Sequence, residues 1–357
     1  MRIGLVFGGR SVEHRVSVSS ARTVASALRE AGHEVVALGI ASDGCWVAPE
    51  VGESALRGEI DAFNPVDGRV KESLHHLLES EIDLVFPVVH GTWGEDGTLQ
   101  GLCEMLDLPY VGADVSASAI SMDKLQCKRL LLNSGIPVVD YEAVTAAQMR
   151  ESASDCLARL ERLPLPVFVK PSCGGSSVGV RRVDRREDLG SALAFALQFD
   201  DSILVEEGIE GRELECSILG DEELEASVVG EIVPGNQFYD YADKYLQDGA
   251  DLKMPADLPE SVADKVRAVA VQAFAAVGGS GMARVDFLLS VEGTLYVNEI
   301  NTLPGFTQIS MYPKLWGLSG LELPDLVSRL VEAGLARHKR GRQLDSGIKS
   351  WLHKLDS

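Results

Sequence analysis

Arg284-Val285-Asp286-Phe287-Leu288-Leu289-Ser290-Val291-Glu292-Gly293-Thr294-Leu295-Tyr296-Val297-Asn298-Glu299-Ile300-Asn301 places two runs rich in apolar and β-branched residues around a Glu-Gly pair. Such runs separated by a glycine-containing break predict a hairpin. A two-residue turn at Glu292-Gly293 sets Asp286 opposite Glu299 and Arg284 opposite Asn301, with all four side chains on one face. Val285, Phe287, Leu289, Tyr296 and Ile300 then make the opposite, apolar face. Facing carboxylates repel unless a cation lies between them, and the oxygen ligands Asp, Glu and Asn suit hard Mg²⁺. The plain alternative is a solvated strand face screened by Arg284. Four converging polar groups favour a metal platform.

Magnesium held by few protein ligands brings phosphate with it, so backbone amides and cations are expected elsewhere in the chain. Val167 to Val180 contains a strand, the Gly/Ser loop Ser172-Cys173-Gly174-Gly175-Ser176-Ser177 and a second strand, with Lys170 beside the loop. It is not a Walker A motif, and a plain turn is its ordinary alternative. Asp123 is a predicted N-cap for a helix over Lys124 to Leu132, whose N-terminal amides and Lys124 form a second phosphate candidate. Ser202 to Glu207 is an apolar strand ending in acids, suited to accept hydrogen bonds from an adenine amino group and ribose hydroxyls.

Nearer the N-terminus, strands at Ile3–Phe7, Glu34–Ile40 and Ile82–Val89 alternate with helical patterns at Ser19–Glu30 and Gly97–Leu106. That order predicts a doubly wound parallel sheet, with ligands beyond its carboxyl edge at Gly8-Gly9 and at His90 to Gly97. Phe7-Gly8-Gly9-Arg10 lacks the G-x-G-x-x-G spacing of a dinucleotide site, which argues against hydride transfer. The expected division is 1–112, an α/β substrate-binding domain; 113–209 and 210–340, two further lobes; and 341–357, a tail without an assigned role. The polar and aromatic stretch from Gly235 to Gly249 is long enough to act as a lid.

The 357 residues, 45% of them apolar, suffice for several buried cores. A net charge of −21 argues against nucleic acid as the main ligand. Six scattered cysteines without a CxxC suggest neither zinc nor a disulfide framework, and no run approaches the ~20 apolar residues of a membrane span. Cytoplasmic placement, with no membrane partner, is the expectation.

A lysine before a Gly/Ser loop, a strand ending in acids and a hairpin bearing Asp286, Glu299 and Asn301 resemble the ATP-grasp fold. Within it, Gly8 to His14, His90 to Gly97, Met122-Asp123-Lys124, Tyr241 to Tyr245 and Asn301 to Met311 resemble the D-alanine:D-alanine ligase family, over residues 3 to about 335. The resemblance implies an ATP-grasp module whose two lobes follow the N-terminal domain. It also implies ligation of two D-alanines through a D-alanyl phosphate, with release of ADP and phosphate, for peptidoglycan precursor synthesis.

By the same resemblance Lys124 and Lys170 contact ATP phosphates, Lys244 lies near the transferred phosphoryl group and Ser176 belongs to the ATP site; Glu206, Glu207 and Ile209 hold adenine, and Glu213 takes the ribose. Asp286, Glu299 and Asn301 bind two Mg²⁺ ions, for which Mn²⁺ substitutes. Glu13 holds the first ammonium with support from Ser176 and Tyr245, and His90 lies near that substrate. Arg284 and the Gly305 amide stabilise the oxyanion, and Ser310 takes the second carboxylate. Tyr245 and Met311 favour D-alanine over the D-lactate or D-serine of vancomycin-resistance relatives, and a homodimer is implied. A non-catalytic nucleotide-binding regulator with the same fold is expected to lack the metal ligands, which this chain retains.

Overall fold

The computed structural model describes residues 1–66, 68–234 and 250–355, arranged around three sheets. In the first, β1 (Arg2–Gly8), β2 (Glu34–Ile40) and β3 (Leu84–Pro87) run parallel in the order β2-β1-β3. Ile3, Leu5 and Phe7 face the helix His14–Glu30, whose Val18, Ala21, Val24, Ala25 and Leu28 recur at helical spacing. Val6, Leu38 and Val85 face the opposite layer, against Leu99 and Cys103 of the helix Thr98–Met105. Both faces are thus covered, as a doubly wound parallel sheet requires. The C-terminal helix Leu323–Leu355 closes this core with Leu326, Val327, Leu330 and Val331, and from Gly341 onward it is exposed.

The second sheet is antiparallel, with β4 (Tyr141–Thr145), β5 (Val167–Pro171), β6 (Arg181–Val183) and β7 (Ser202–Glu207) in the order β4-β7-β5-β6. Val167, Val169, Ile203 and Val205 pack on the helices Ala153–Leu160 and Leu189–Ala196. The third sheet is also antiparallel. It holds β8 (Gly211–Gly220), β9 (Leu224–Pro234), β10 (Ala250–Lys253), β11 (Gly281–Ser290) and β12 (Leu295–Asn301), in the order β10-β9-β8-β11-β12. Its apolar face buries Val285, Phe287 and Ile300 against Val266, Ala270 and Phe274 of the helix Glu260–Ala276.

The hairpin β11–β12 has the expected pairing at its functional end and a different one at its turn. Asp286 pairs with Glu299, Val285 with Ile300 and Arg284 with Asn301. Beyond Asp286 the register slips, so that Phe287 pairs with Val297, Leu288 with Tyr296 and Leu289 with Leu295. The turn is longer than two residues: the Ser290 amide donates to the Thr294 carbonyl at 2.9 Å, and Gly293 is left-handed at φ 84°. A bulge at Asn298 absorbs the extra residue. Because strand side chains alternate, the slip puts Leu295 and Val297 into the core, in place of the expected Tyr296. No described helix is long and apolar enough to cross a membrane.

Candidate active site

A cavity of about 260 Å³ opens over the polar face of the hairpin, lined by Arg284, Asp286, Glu299 and Asn301. Arg284 grips Asp286 with Nε and Nη2, each 2.7 Å from a carboxylate oxygen, and its Nε lies 3.1 Å from Glu215. Burial works against a charged guanidinium, but Asp286 and Glu215 outweigh it and raise the Arg284 pKa well above its ordinary value. Asp286 stands between two other acids across adjacent strands, Glu215 on β8 and Glu299 on β12. Among the described residues no group of three His, Cys, Asp or Glu side chains is gathered for a metal. The hairpin instead offers two carboxylates and the Asn301 carboxamide, an all-oxygen set of few ligands that fits a hard divalent ion sharing its shell with phosphate.

Opposite the hairpin, the start of the helix Lys124–Asn133 is fastened to the Gly/Ser loop. The Lys124 amide donates to the Ser172 carbonyl at 2.9 Å, the Ser172 hydroxyl donates to Asp123 at 2.6 Å, and Lys124 Nζ donates to the Gly174 carbonyl at 2.7 Å. Asp123 caps the amides of Leu125 and Gln126. The helix N-terminus expected to attract anions is therefore satisfied by its own cap, and the charge on offer is the Lys124 side chain. Lys124 lies 3.5 Å from Glu299. Burial would lower its pKa, but Glu299 and Glu206 outweigh burial and raise it. A second cavity of about 120 Å³ joins Lys124 to Lys170, Gly174, Gly175, Ser176, Glu213 and Glu299.

The third wall comes from loops at the carboxyl edge of the parallel sheet, as the topology predicts. Glu13 precedes the helix His14–Glu30, and two glycines make room for its carboxylate. A Cβ on Gly91 would lie 2.8 Å from Glu13 Oε2, and one on Gly175 3.0 Å from it. His90 is buried, with Nδ1 donating to the Leu303 carbonyl at 2.9 Å and Nε2 accepting from the Ser20 hydroxyl at 3.0 Å. Burial lowers the His90 pKa, which keeps the ring neutral in this role. Ser20 also accepts from the Phe306 amide at 3.1 Å, so His90 ties the first domain to the Gly305 loop.

At the far end of the cavity, Ser310 precedes the helix Met311–Leu318 without capping it. Its hydroxyl accepts from the Thr307 amide at 3.0 Å and contacts the Thr307 hydroxyl at 2.8 Å. Uncapped amides at a helix N-terminus favour a carboxylate. Gly305 and Met311 line the same cavity.

The expected residues Glu13, His90, Lys124, Ser176, Glu213, Arg284, Asp286, Glu299, Asn301, Gly305, Ser310 and Met311 thus converge on the larger cavity. Glu207 and Ile209 line neither cavity. The Glu206 carboxylate, expected to hold adenine, is buried between Lys128, at 2.9 Å, and Lys170. Burial would raise its pKa, yet the two lysines together hold it at about 2. Lys244 and Tyr245 lie outside the described residues.

Of three buried ionisable residues at the site, Glu95 lies within the His90 to Gly97 loop expected to meet a ligand, whereas Glu215 and Lys128 were not expected there. Glu215 was discoverable from the alternation Glu213-Leu214-Glu215-Cys216, which puts it on the polar face of β8 beside Asp286. Glu95 accepts from the Gly91 amide at 2.9 Å, and burial and the nearby Glu13 push its pKa up to about 8. Lys128, one turn beyond Lys124, carried no distinguishing signal.

A lysine-bearing Gly/Ser loop facing an acidic hairpin across two antiparallel sheets, with a parallel α/β domain supplying the third wall, defines an ATP-grasp enzyme. The family model described as D-ala D-ala ligase N-terminus matches residues 2–113, and the one described as D-ala D-ala ligase C-terminus matches residues 130–332. The chain belongs to the D-alanine–D-alanine ligase family. It is 45% identical to the D-alanine–D-alanine ligase of Halothermothrix orenii, over 94% of this chain and 98% of that one. It is 44% identical to D-alanine–D-alanine ligase A of Escherichia coli K12, over 95% and 96%. Among solved structures it resembles the D-alanine-D-alanine ligase of Coxiella burnetii, with TM-score 0.81, 36% identity and coverage of 98% and 99%. It also resembles the VanG D-Ala:D-Ser ligase of Enterococcus faecalis, with TM-score 0.79, 31% identity and coverage of 93% and 99%.

Proposed function

We propose that this chain joins two D-alanine molecules at the expense of ATP, by way of D-alanyl phosphate, in peptidoglycan precursor synthesis. The observation that carries the reading is the cross-strand pair Asp286–Glu299 facing Lys124 and the Gly/Ser loop across one cavity. In this reading Glu13 holds the first ammonium and directs its carboxylate oxygen at the γ-phosphorus. The new O–P bond displaces ADP, whose phosphates Lys124, Lys170, Ser176 and Lys244 receive. Asp286, Glu299 and Asn301 would hold two Mg²⁺ ions, exchangeable for Mn²⁺, which would neutralise phosphate charge when bound.

Ser310 and the amides of the following helix hold the second carboxylate, placing the free amine of that substrate at the acyl carbon. The oxyanion that forms is stabilised by Arg284 and the Gly305 amide. Expulsion of phosphate and loss of the amine proton complete the amide. Glu206, Glu207 and Ile209 remain assigned to adenine and Glu213 to ribose, with Glu206 also fixing Lys170. His90 positions the Gly305 loop, Met311 shapes the second substrate's pocket, and Tyr245 pins the lid. The proposed division is 1–112 for substrate binding, 113–209 and 210–340 for the two ATP-grasp lobes and 341–357 for the tail. The homodimer and cytoplasmic placement rest on the family resemblance.

The test is phosphate release with ATP and Mg²⁺ in the presence of D-alanine, L-alanine, D-serine or D-lactate, with product mass determined. D-alanine-dependent release and a D-alanyl-D-alanine mass are expected. Release that depends on another second substrate would redirect the specificity assignment, and no release with any of them would overturn the ligase reading.

A further inference from the structure

Lys128 is almost wholly buried, at 1% exposure, one helical turn from Lys124. Its ammonium lies 2.9 Å from Glu206 on β7 and donates to the Asn298 carbonyl on β12 at 3.3 Å. Asn298 is the bulged residue beside Glu299. The other oxygen of Glu206 is paired with Lys170. Lys128, Glu206 and Lys170 therefore form a buried line of charge running from the bulge of the metal-platform hairpin to the lysine beside the Gly/Ser loop.

A carboxylate paired with one lysine cancels that lysine's charge, whereas between two lysines it leaves one positive charge over. We propose that Lys128 is a positioning residue that neutralises Glu206, so that Glu206 orients Lys170 without cancelling its charge toward nucleotide phosphates. The hydrogen bond to Asn298 fixes the ammonium between the two antiparallel sheets. This inference rests on the reading that Lys170 contacts ATP phosphate.

Charge counting gives an ordering that a simple brace does not. The three residues carry one net positive charge in the native protein, none in Lys128→Met, and one again in Lys128→Met combined with Glu206→Gln. The double variant also leaves no unpaired carboxylate behind, which protects its folding. Binding of ATP and of ADP with Mg²⁺, by calorimetry on the full chain, should weaken about tenfold in Lys128→Met and return toward the native value in the double variant, where the amide oxygen left by Glu206→Gln still accepts from Lys170. The KM for ATP should follow the same order, with kcat changing less, and thermal unfolding shows which variants fold. If Lys128 only braced the fold, the double variant, lacking the whole ion pair, would bind no better than the single one. That result, or native affinity in a folded Lys128→Met, overturns the proposal. Lys170→Met is the control: if it binds nucleotide normally, the phosphate reading of Lys170 fails. If it alone weakens binding, only the role of Lys128 fails.

Discussion

Arg284 and Asp286, two residues apart on β11, are joined by two N–H···O bonds of 2.7 Å each, and this fork fixes the Asp286 carboxylate within the cavity. In-strand neighbours of opposite charge stabilise each other, yet Asp286 also faces Glu299 across the hairpin. Asp286→Asn keeps the shape and removes the charge. On the proposed role of Asp286 as a metal ligand, kcat/KM should fall by roughly 100-fold or more, with Mg²⁺ titration showing weaker activation. A circular-dichroism spectrum like the native one would confirm that the fold survives, and undiminished Mg²⁺ activation would remove Asp286 from the metal platform.

Glu95 supplies a pH prediction. Its folded pKa of about 8 stands above its ordinary 4.5, so between those values the folded state holds a proton that the unfolded state has lost. Stability from this group is therefore greatest at the acidic end and declines as pH rises from 4.5 towards 8. Glu95→Gln removes the titration. Urea unfolding at pH 5.5 and pH 8 should show the native protein losing roughly 1 kcal/mol or more relative to this variant over that interval. Parallel pH profiles would contradict the assignment.

Gly91 is left-handed, at φ 76°, and its missing side chain leaves space for Glu13. Gly91→Ala should cost about 1 kcal/mol in backbone strain and displace the Glu13 carboxylate. The expected result is a lower unfolding midpoint together with a raised KM for one of the two D-alanine sites. A variant with only the stability loss would separate Glu13 from substrate binding.

Ser310 offers its hydroxyl beside the uncapped amides of the helix Met311–Leu318. In Ser310→Ala the amides remain and the hydroxyl is lost. Steady-state kinetics should show KM for the second substrate rising about tenfold, the worth of one hydrogen bond to a charged group, with KM for ATP unchanged. An equal rise for ATP would point to a disordered site instead.

Much of this was legible in local pattern. Alternation along Arg284–Asn301 gave the pairing of Asp286 with Glu299, and the order of strands and helices in the first third gave the doubly wound sheet. Lysine beside a Gly/Ser loop marked Lys170. The turn differs from the expected one because a glycine can serve a two-residue or a longer loop equally well, and Asn298 carries no signature of a bulge. Tyr296 and Val297 both suit a strand, and only the slipped register decides which of them is buried.

The sequence by itself determined the elements, the carriers of charge and the family, because periodicity, turn chemistry and motif spacing are local properties of the chain. Tertiary structure decided how the charges are shared. Glu206 lies between lysines from two separate elements, Arg284 is held by acids on β8 and β11, and Glu95 is forced toward its neutral form by burial near Glu13. Those outcomes depend on distance and on exclusion of water between residues far apart in the chain, and neither exists until the three sheets have packed.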